Sequence, residues 1–219
     1  MNSLVNAVGL LAKGGYVMIP LLICSMVAAT VVVERFLKIQ RVHTDIASEM
    51  QRIEDAIYAH KTAEAITLLE SHGSAIGRVL AAGIRNCHLG ERGIERAMEE
   101  QGTREVSALT HRLGSLDTII TIAPLLGLFG TVTGMISAFH VIANKEGIGT
   151  PTAITGGVAE ALVATAAGLV IAICTLVCYN YLQDRIKGIV SEIEHRGNSM
   201  LNVLAEAGEG HNEAKRLSA

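Results

Sequence analysis

Glu160 is a carboxylate beside a long apolar run, because residues 161–183 carry no charged side chain and Asp184 is the next charge. A run of this length predicts a membrane-spanning helix, which needs about 20 apolar residues. Carboxylates in such helices are costly, usually face a bundle interior or a cavity, and often mark an ion path. Burial favours the protonated form of a carboxylic acid. The sequence therefore predicts a group that takes up and releases protons, as a proton relay requires. The alternative is that Glu160, near the end of the run, only extends to water.

Small and hydroxyl-bearing residues follow helical spacing in two apolar segments. Small residues let membrane helices approach closely, so we expect helix packing at Gly127, Gly130, Gly134 and Gly168. A threonine can bond a carbonyl of its own helix, and from the residues alone this explains the threonines as packing residues. In the first segment these residues are Gly127, Thr131, Gly134 and Ala138, flanked by Gly130 and Ser137. In the second segment they are Ala161, Thr165, Gly168, Ala172 and Thr175.

Three uncharged runs predict the elements that position these residues. The chain has 219 residues, of which 50% are hydrophobic and only 18% charged, and its mean hydropathy is +0.40. The runs are residues 14–33, 118–144 and 161–183, each close to the length that crosses a bilayer. The fold class is therefore an all-α integral membrane protein with three transmembrane helices.

Basic residues predict the orientation, because Lys and Arg concentrate on the cytoplasmic side of a membrane. One precedes the first run, eleven lie between the first two, one lies in the next link and five follow the third run. The expected order is a periplasmic N-terminus (1–15), helix (16–34), cytoplasmic helical loop (35–115), helix (116–143), periplasmic link (144–153), helix (154–182), and cytoplasmic C-terminal helix and tail (183–219).

The loop between the first two spans is expected to be helical, since its apolar residues recur with helical spacing. The stripe Val106, Leu109, Leu113 and Leu116 leads directly into the second span. It predicts one uninterrupted helix from about Gly93 to Ala143, with Gly102 as its weak point. The third span likewise continues inward as a long helix, and the last dozen residues have a composition typical of disorder. The loop stripes comprise Ile46, Met50, Ile53, Ile57, Ile66, Leu69, Ile76, Val79, Leu80 and Ile84.

Composition argues against several functional classes. The net charge is −3, and the absence of a basic stripe argues against nucleic acid as a partner. No nucleotide motif or hydrolytic constellation indicates an enzyme, so we expect no catalytic residue and no cofactor. Cys24, Cys87, Cys174 and Cys178 form no CxxC pair, and we expect neither a metal site nor a disulfide network.

Two segments of the chain resemble the MotA/TolQ/ExbB proton channel family. Ala-Pro-Leu-Leu-Gly-Leu-Phe-Gly-Thr-Val-Thr-Gly-Met (123–135) is similar to the motif of its second span, and Gly-Gly-Val-Ala-Glu-Ala-Leu-Val-Ala-Thr-Ala-Ala-Gly-Leu (156–169) to that of its third. The three spans and the large loop resemble the ExbB/TolQ branch. The resemblance implies that Glu160 is the family's intramembrane glutamate, and that Thr131 and Thr165 are its polar threonines in the ion pathway.

The resemblance also implies a machine in the bacterial inner membrane. ExbB-like proteins form a homopentamer around helices of an ExbD-like single-span partner, and proton motive force then energises a TonB-like protein for outer-membrane transport. TolQ-like proteins work with TolR-like and TolA-like partners in envelope maintenance. Thr133 stands where the family often has tryptophan. The ExbB-like assignment is preferred, and a TolQ-like subunit, a sodium-driven version and a non-conducting membrane scaffold are the alternatives.

Overall fold

The chain is all-helical in every part that the structure describes. The structure is a computed structural model that describes residues 15–42, 47–59, 61–71, 73–144 and 151–217. Its helices are α1 (Met18–Val42), α2 (Ala47–Tyr58), α3 (Thr62–Ser71), α4 (Ala75–Arg85), α5 (Glu91–Thr110), α6 (Leu113–Asn144) and α7 (Pro151–Leu217), with a short 3₁₀ turn at Cys87–Leu89. The expected N-terminal segment, most of the link after α6, and Ile46 lie outside the described residues.

Three helical segments are long and apolar enough to cross a membrane. They fall within Met18–Gln40, Glu91–His140 and Thr155–Ala207. Large apolar side chains on these segments remain exposed in the single chain. Burying them in lipid or against other helices removes their apolar surface from water. The exposed set includes Ile23, Met26, Leu125, Phe129, Ile136, Phe139, Leu162, Val170, Ile173 and Val177.

The described residues divide into two compact units. The first consists of the chain up to Glu34 together with Arg112–Tyr181, and it contains the most apolar parts of α1, α6 and α7. The second consists of Arg35–His111 and the chain from Leu182 onward. Because Glu160, Thr131 and Thr165 all belong to the first unit, that unit holds the predicted ion pathway.

The second unit is a helical domain with an apolar core. Most described residues of the predicted stripes are buried, while Met50, Ile66 and Val106 are half-buried. Ser74 caps α4, and its hydroxyl accepts a hydrogen bond from the Gly77 amide at 2.9 Å. Such a cap satisfies a backbone donor that the first turn leaves free. The core includes Ile53, Ile57, Leu69, Ile76, Val79, Leu80, Ile84, Met98, Leu109, Leu182, Ile186, Ile189 and Met200.

An ion pair fastens α4 to α5 in this unit. Arg78 donates from Nε and Nη2 to the two carboxylate oxygens of Glu105, at 2.7 and 2.6 Å. Gln101 donates to the same carboxylate at 2.9 Å. The hydrogen-bonded Arg78 guanidinium holds the pKa of the Glu105 carboxyl below its usual range. Glu105 is almost fully buried, and a buried carboxylate is tolerated when it is paired and hydrogen-bonded in this way.

The prediction of one uninterrupted helix from Gly93 to Ala143 is wrong. Helix α5 ends at Thr110 and α6 begins at Leu113, because Arg112 has φ +66°, a left-handed conformation that ends an α-helix. Arg35 and Lys38 donate to the Ala108 carbonyl, at 3.1 and 3.2 Å, and so satisfy a carbonyl near the end of α5. These donors come from a helix distant in sequence, so the periodicity could not reveal the break.

Two further expectations differ from the structure. Gly102, the expected weak point, lies inside α5 and is buried. The last dozen residues, expected to be disordered, continue α7 as helix to Leu217. By contrast, α7 is a single helix through the third span and beyond, as the apolar pattern predicted.

Candidate functional site

Glycines bring α6 and α7 together along the small-residue stripes. A Cβ added at Gly134 would lie 2.9 Å from the Gly157 carbonyl oxygen, and one at Gly127 would lie 3.0 Å from the Thr165 Cα. A Cβ at Gly168 would lie 2.5 Å from the Ala123 carbonyl oxygen. Because backbone atoms cannot move aside as a flexible side chain can, these positions leave no room for a larger residue.

Gly130 belongs to the same contact but faces two helices. A Cβ there would lie 2.6 Å from the Ala164 Cβ and 3.6 Å from Val17 Cγ1. Val17 lies just before α1, so Gly130 is placed where all three apolar segments meet. The four glycines predicted from sequence therefore lie where α6 contacts α7, and Gly130 also contacts the start of the first span.

Glu160 is half-buried on α7 and lines a small cavity at this meeting point. The cavity has a volume of about 10 Å³, close to the roughly 10–15 Å³ that one water molecule requires. Its other lining residues come from the start of the first span and from one face of α6: Tyr16, Val17, Gly130, Thr133, Gly134 and Ser137. The carboxylate therefore shares its cavity with two hydroxyl-bearing side chains of a neighbouring helix.

Gly15 gives the Glu160 carboxylate its space. Gly15 has φ +67°, a conformation that other residues adopt only with strain. A Cβ at this position would collide with Oε1 of Glu160. Backbone conformation and the space needed by the carboxylate thus both favour glycine here.

The two predicted threonines make different contacts. Thr165 donates from its hydroxyl across the helix contact to the Gly127 carbonyl at 2.8 Å, and so joins α7 to α6. Thr131 donates to the Leu128 carbonyl of its own helix at 2.7 Å, the local bond expected of a helical threonine. Neither threonine lines the cavity that contains Glu160. The structure therefore brings Thr165 and Gly127 together but places Glu160 with other polar residues.

Thr133, Ser137 and Gly15 are neighbours of Glu160 that were not predicted from the sequence. Thr133 and Ser137 are four residues apart, on the face of α6 that also carries Gly130 and Gly134, and this hydroxyl pair was the available signal. Gly15 lies in the turn before α1 and gave none. Among the residues that the structure describes, no group of three His, Cys, Asp or Glu side chains could hold a metal ion.

Comparisons with known proteins agree with the motifs. A family model described as the MotA/TolQ/ExbB proton channel family matches residues 71–195. A protein of Synechocystis sp. named ExbB-like 1 is 35% identical over 199 residues, which cover 83% of this chain and 75% of that protein. The Tol-Pal system protein TolQ of Haemophilus influenzae is 39% identical over 98 residues, covering 45% of this chain and 42% of TolQ. The biopolymer transport protein ExbB of Aquifex aeolicus is 36% identical over 104 residues, covering 43% and 70%.

Proposed function

The chain belongs to the MotA/TolQ/ExbB proton channel family, and we propose that it is the channel-forming subunit of a proton-driven membrane motor. It is a multi-pass membrane protein with three apolar helical segments, related to proteins named for biopolymer transport. In the proposed motor an ExbD-like single-span partner lies against these helices, and the complex energises a TonB-like protein for outer-membrane transport.

The observation that carries the proposal is the position of Glu160. Its carboxylate lines a water-sized cavity within three apolar segments, together with the Thr133 and Ser137 side chains. The Thr133 hydroxyl donates to carbonyls of its own helix, at Phe129 and Gly130, so its oxygen is left to accept a hydrogen bond from water or from a protonated carboxyl group. A serine hydroxyl can both donate and accept, so Ser137 beside the carboxyl group can help to pass a proton to or from water. In this proposal Glu160 carries the proton, while Thr165 and Thr131 lie further along the ion pathway.

The proposed assembly explains why so much apolar surface is exposed on the single chain. We propose that copies of the chain form a ring, with five subunits as the expected number. The partner's transmembrane helices lie inside the ring, and its carboxylate accepts protons relayed by Glu160. One charge crossing 100 mV releases about 2.3 kcal/mol, so several protons per cycle supply useful work. Gly127, Gly130, Gly134 and Gly168 hold the helices close enough to exclude lipid from this path.

The proposed location is the bacterial inner membrane. The eleven basic residues between the first two spans favour a cytoplasmic position for that region, with a periplasmic N-terminus and a cytoplasmic C-terminus. Proton entry would then be from the periplasmic end, which is the end of α7 that carries Glu160.

Proton flux into proteoliposomes tests the proposal directly. The chain, purified together with its partner, is reconstituted as wild type and as Glu160→Gln, and a pH-sensitive dye inside the vesicles reports flux under an imposed gradient. We expect the substitution to abolish flux without changing assembly, because an amide cannot carry the proton. Asp184→Asn is the matched control, since Asp184 lies on the same helix but is 75% exposed, and we expect its flux to equal that of the wild type.

Two outcomes would replace the proposal by its alternatives. A non-conducting scaffold predicts that Glu160→Gln is silent, whereas bulky residues at Gly134 or Gly168 break assembly. A sodium-driven version predicts flux that depends on sodium at fixed pH.

The Haemophilus influenzae TolQ match favours a TolQ-like subunit with TolR-like and TolA-like partners as the second candidate. Deletion of the gene separates these two roles, since it impairs ligand uptake in one case and envelope integrity in the other.

A further inference from the structure

A basic cavity lies at the C-terminal end of α5, apart from the ion pathway. It is a shallow, largely open depression with a volume of about 590 Å³. The residues that line it come from α1 and from the last turns of α5: Lys38, Thr103, Arg104, Ser107, Ala108 and His111. All belong to the second compact unit. None of these six is a carboxylate, but the Glu105 carboxylate is near enough to Lys38 to feel its charge and Glu100 pairs with Arg104. An anion in the cavity would therefore compete with these two carboxylates for Lys38 and Arg104.

The hydrogen bonds at this cavity leave several donors available. Lys38 donates to the Ala108 carbonyl at 3.2 Å, and an ammonium group has two further N–H donors. Arg35 Nη2 lies 3.4 Å from His111 Nδ1. Because a guanidinium only donates, Nδ1 must accept, and in the neutral ring the hydrogen is then on Nε2. His111 therefore presents a second N–H group besides those of Lys38.

Arg104, the remaining cation of the lining, forms only a weak ion pair outside the cavity. Arg104 pairs with Glu100 at 2.6 Å, but both side chains are more than 60% exposed, and such surface pairs contribute little. Arg104 can therefore turn toward an anion in the cavity at small cost. The hydroxyls of Thr103 and Ser107 add two uncharged donors to the same lining.

The position of Lys38 on α1 relates the cavity to the membrane surface. The apolar run of α1 ends at Val33, and Lys38 lies five residues further along the same helix, a rise of about 7.5 Å. The polar headgroup layer adds roughly 5–8 Å to each face of the hydrocarbon. If the hydrocarbon ends near Val33, this rise brings Lys38 to the depth of lipid phosphates.

We propose that this cavity binds an anionic phospholipid through its phosphate group. Lys38 and Arg104 supply the charge, while the His111 Nε2–H and the two hydroxyls supply directed hydrogen bonds. The site requires neither proton conduction nor a particular partner, so it stands independently of the proposed function. Bound lipid would lie across the contact that joins α1 to the end of α5, and would hold these two elements together.

Native mass spectrometry of the purified complex, titrated with phosphatidylglycerol or phosphatidylcholine, tests the proposal. We expect the wild type to bind phosphatidylglycerol in preference to phosphatidylcholine. Lys38→Gln and Arg104→Gln should each weaken this binding about five-fold, the worth of one basic residue near an anionic headgroup. Arg185→Gln is the matched control, because it removes one exposed charge just beyond the third apolar run and lies outside this cavity; its binding should not change.

Lys38→Arg keeps the charge and should retain the lipid, which separates loss of binding from loss of folding. Several results would overturn the proposal. These are equal binding of phosphatidylcholine, equal weakening by Arg185→Gln, or displacement of the lipid by millimolar inorganic phosphate, which would indicate a site for free anions. A co-purifying acidic peptide in the cavity, in place of lipid, would also overturn it.

Discussion

At the scale of single residues, the environment of Glu160 is set by side chains from other helices. On its own helix the residues that share its face are Ala164, Ala167, Ile171 and Cys174, none of which is charged. In the structure, Thr133 and Ser137 of α6 line the same cavity as Glu160, and the carboxylate occupies the space that a side chain at Gly15 would fill. Glu160 therefore combines an apolar helix face with a polar cavity.

The Arg78–Glu105 pair allows a residue-scale prediction for stability. The pKa of Glu105 is lower in the folded protein than in an unfolded chain, so the pair contributes stability above the unfolded value of about 4.3. That contribution is lost as pH falls through the folded pKa. We expect Glu105→Gln to lower the free energy of unfolding at pH 7 by about 1.5–3 kcal/mol, the range that hydrogen bonds to charged groups contribute. The difference from wild type should shrink as the pH falls below about 4.

Thermal unfolding of the detergent-solubilised protein between pH 3 and pH 7, a window chosen to span the usual carboxyl range, measures this difference. Glu100→Gln is the control, because its pair with Arg104 is on the same helix but exposed, and we expect a loss below about 0.5 kcal/mol. Equal losses for the two variants would contradict a special role for the buried pair.

At the scale of elements, the contact between α6 and α7 is built from backbone as much as from side chains. The glycines place carbonyls of one helix against Cα atoms of the other, and Thr165 bonds the Gly127 carbonyl. Close packing of this kind replaces the hydrophobic drive that membrane helices lack. The break at His111 and Arg112 has a similar origin, because donors from α1 satisfy the end of α5.

A glycine pair tests this element-scale contact. Gly168→Ala places a Cβ 2.5 Å from the Ala123 carbonyl oxygen, so we expect the protein to lose about 1–3 kcal/mol of stability, as overpacked sites do. Gly156→Ala on the same helix meets nothing within 4 Å. It should be neutral or stabilising, because alanine is the better helix former.

Thermal unfolding in detergent and the yield of assembled complex are the two measurements for this pair. If Gly168→Ala unfolds at the wild-type temperature and assembles normally, the helices have room to separate and the close contact is not required.

At the scale of the whole molecule, the charge distribution predicts the membrane topology. By the positive-inside rule we expect the region between the first two spans to lie in the cytoplasm. Cys87, an exposed residue of that region, should therefore react with a membrane-impermeant maleimide only after the inner membrane is permeabilised. His140→Cys, at the other end of the second span, should react without permeabilisation. If Cys87 reacts in intact spheroplasts and the cysteine of His140→Cys does not, the predicted orientation is wrong.

The sequence by itself determined the helical class, the three apolar segments and the residues of the intramembrane motif. These depend on hydrophobicity, period and residue type, which the chain carries locally. Most of the second unit's core could also be predicted, since Ile53, Leu69 and Ile84 lie on apolar stripes and are buried.

Only the tertiary structure decided what those residues contact. The stripe from Val106 to Leu116 continues in phase across the break at Arg112, so periodicity could not reveal that α5 ends there. The neighbours of Glu160 come from segments more than 20 residues away, and the basic cavity joins residues 38 and 104. Contacts between distant segments depend on how helices pack and cross. Local periodicity shows that a helix has an apolar face, but it does not specify which distant segment packs against that face.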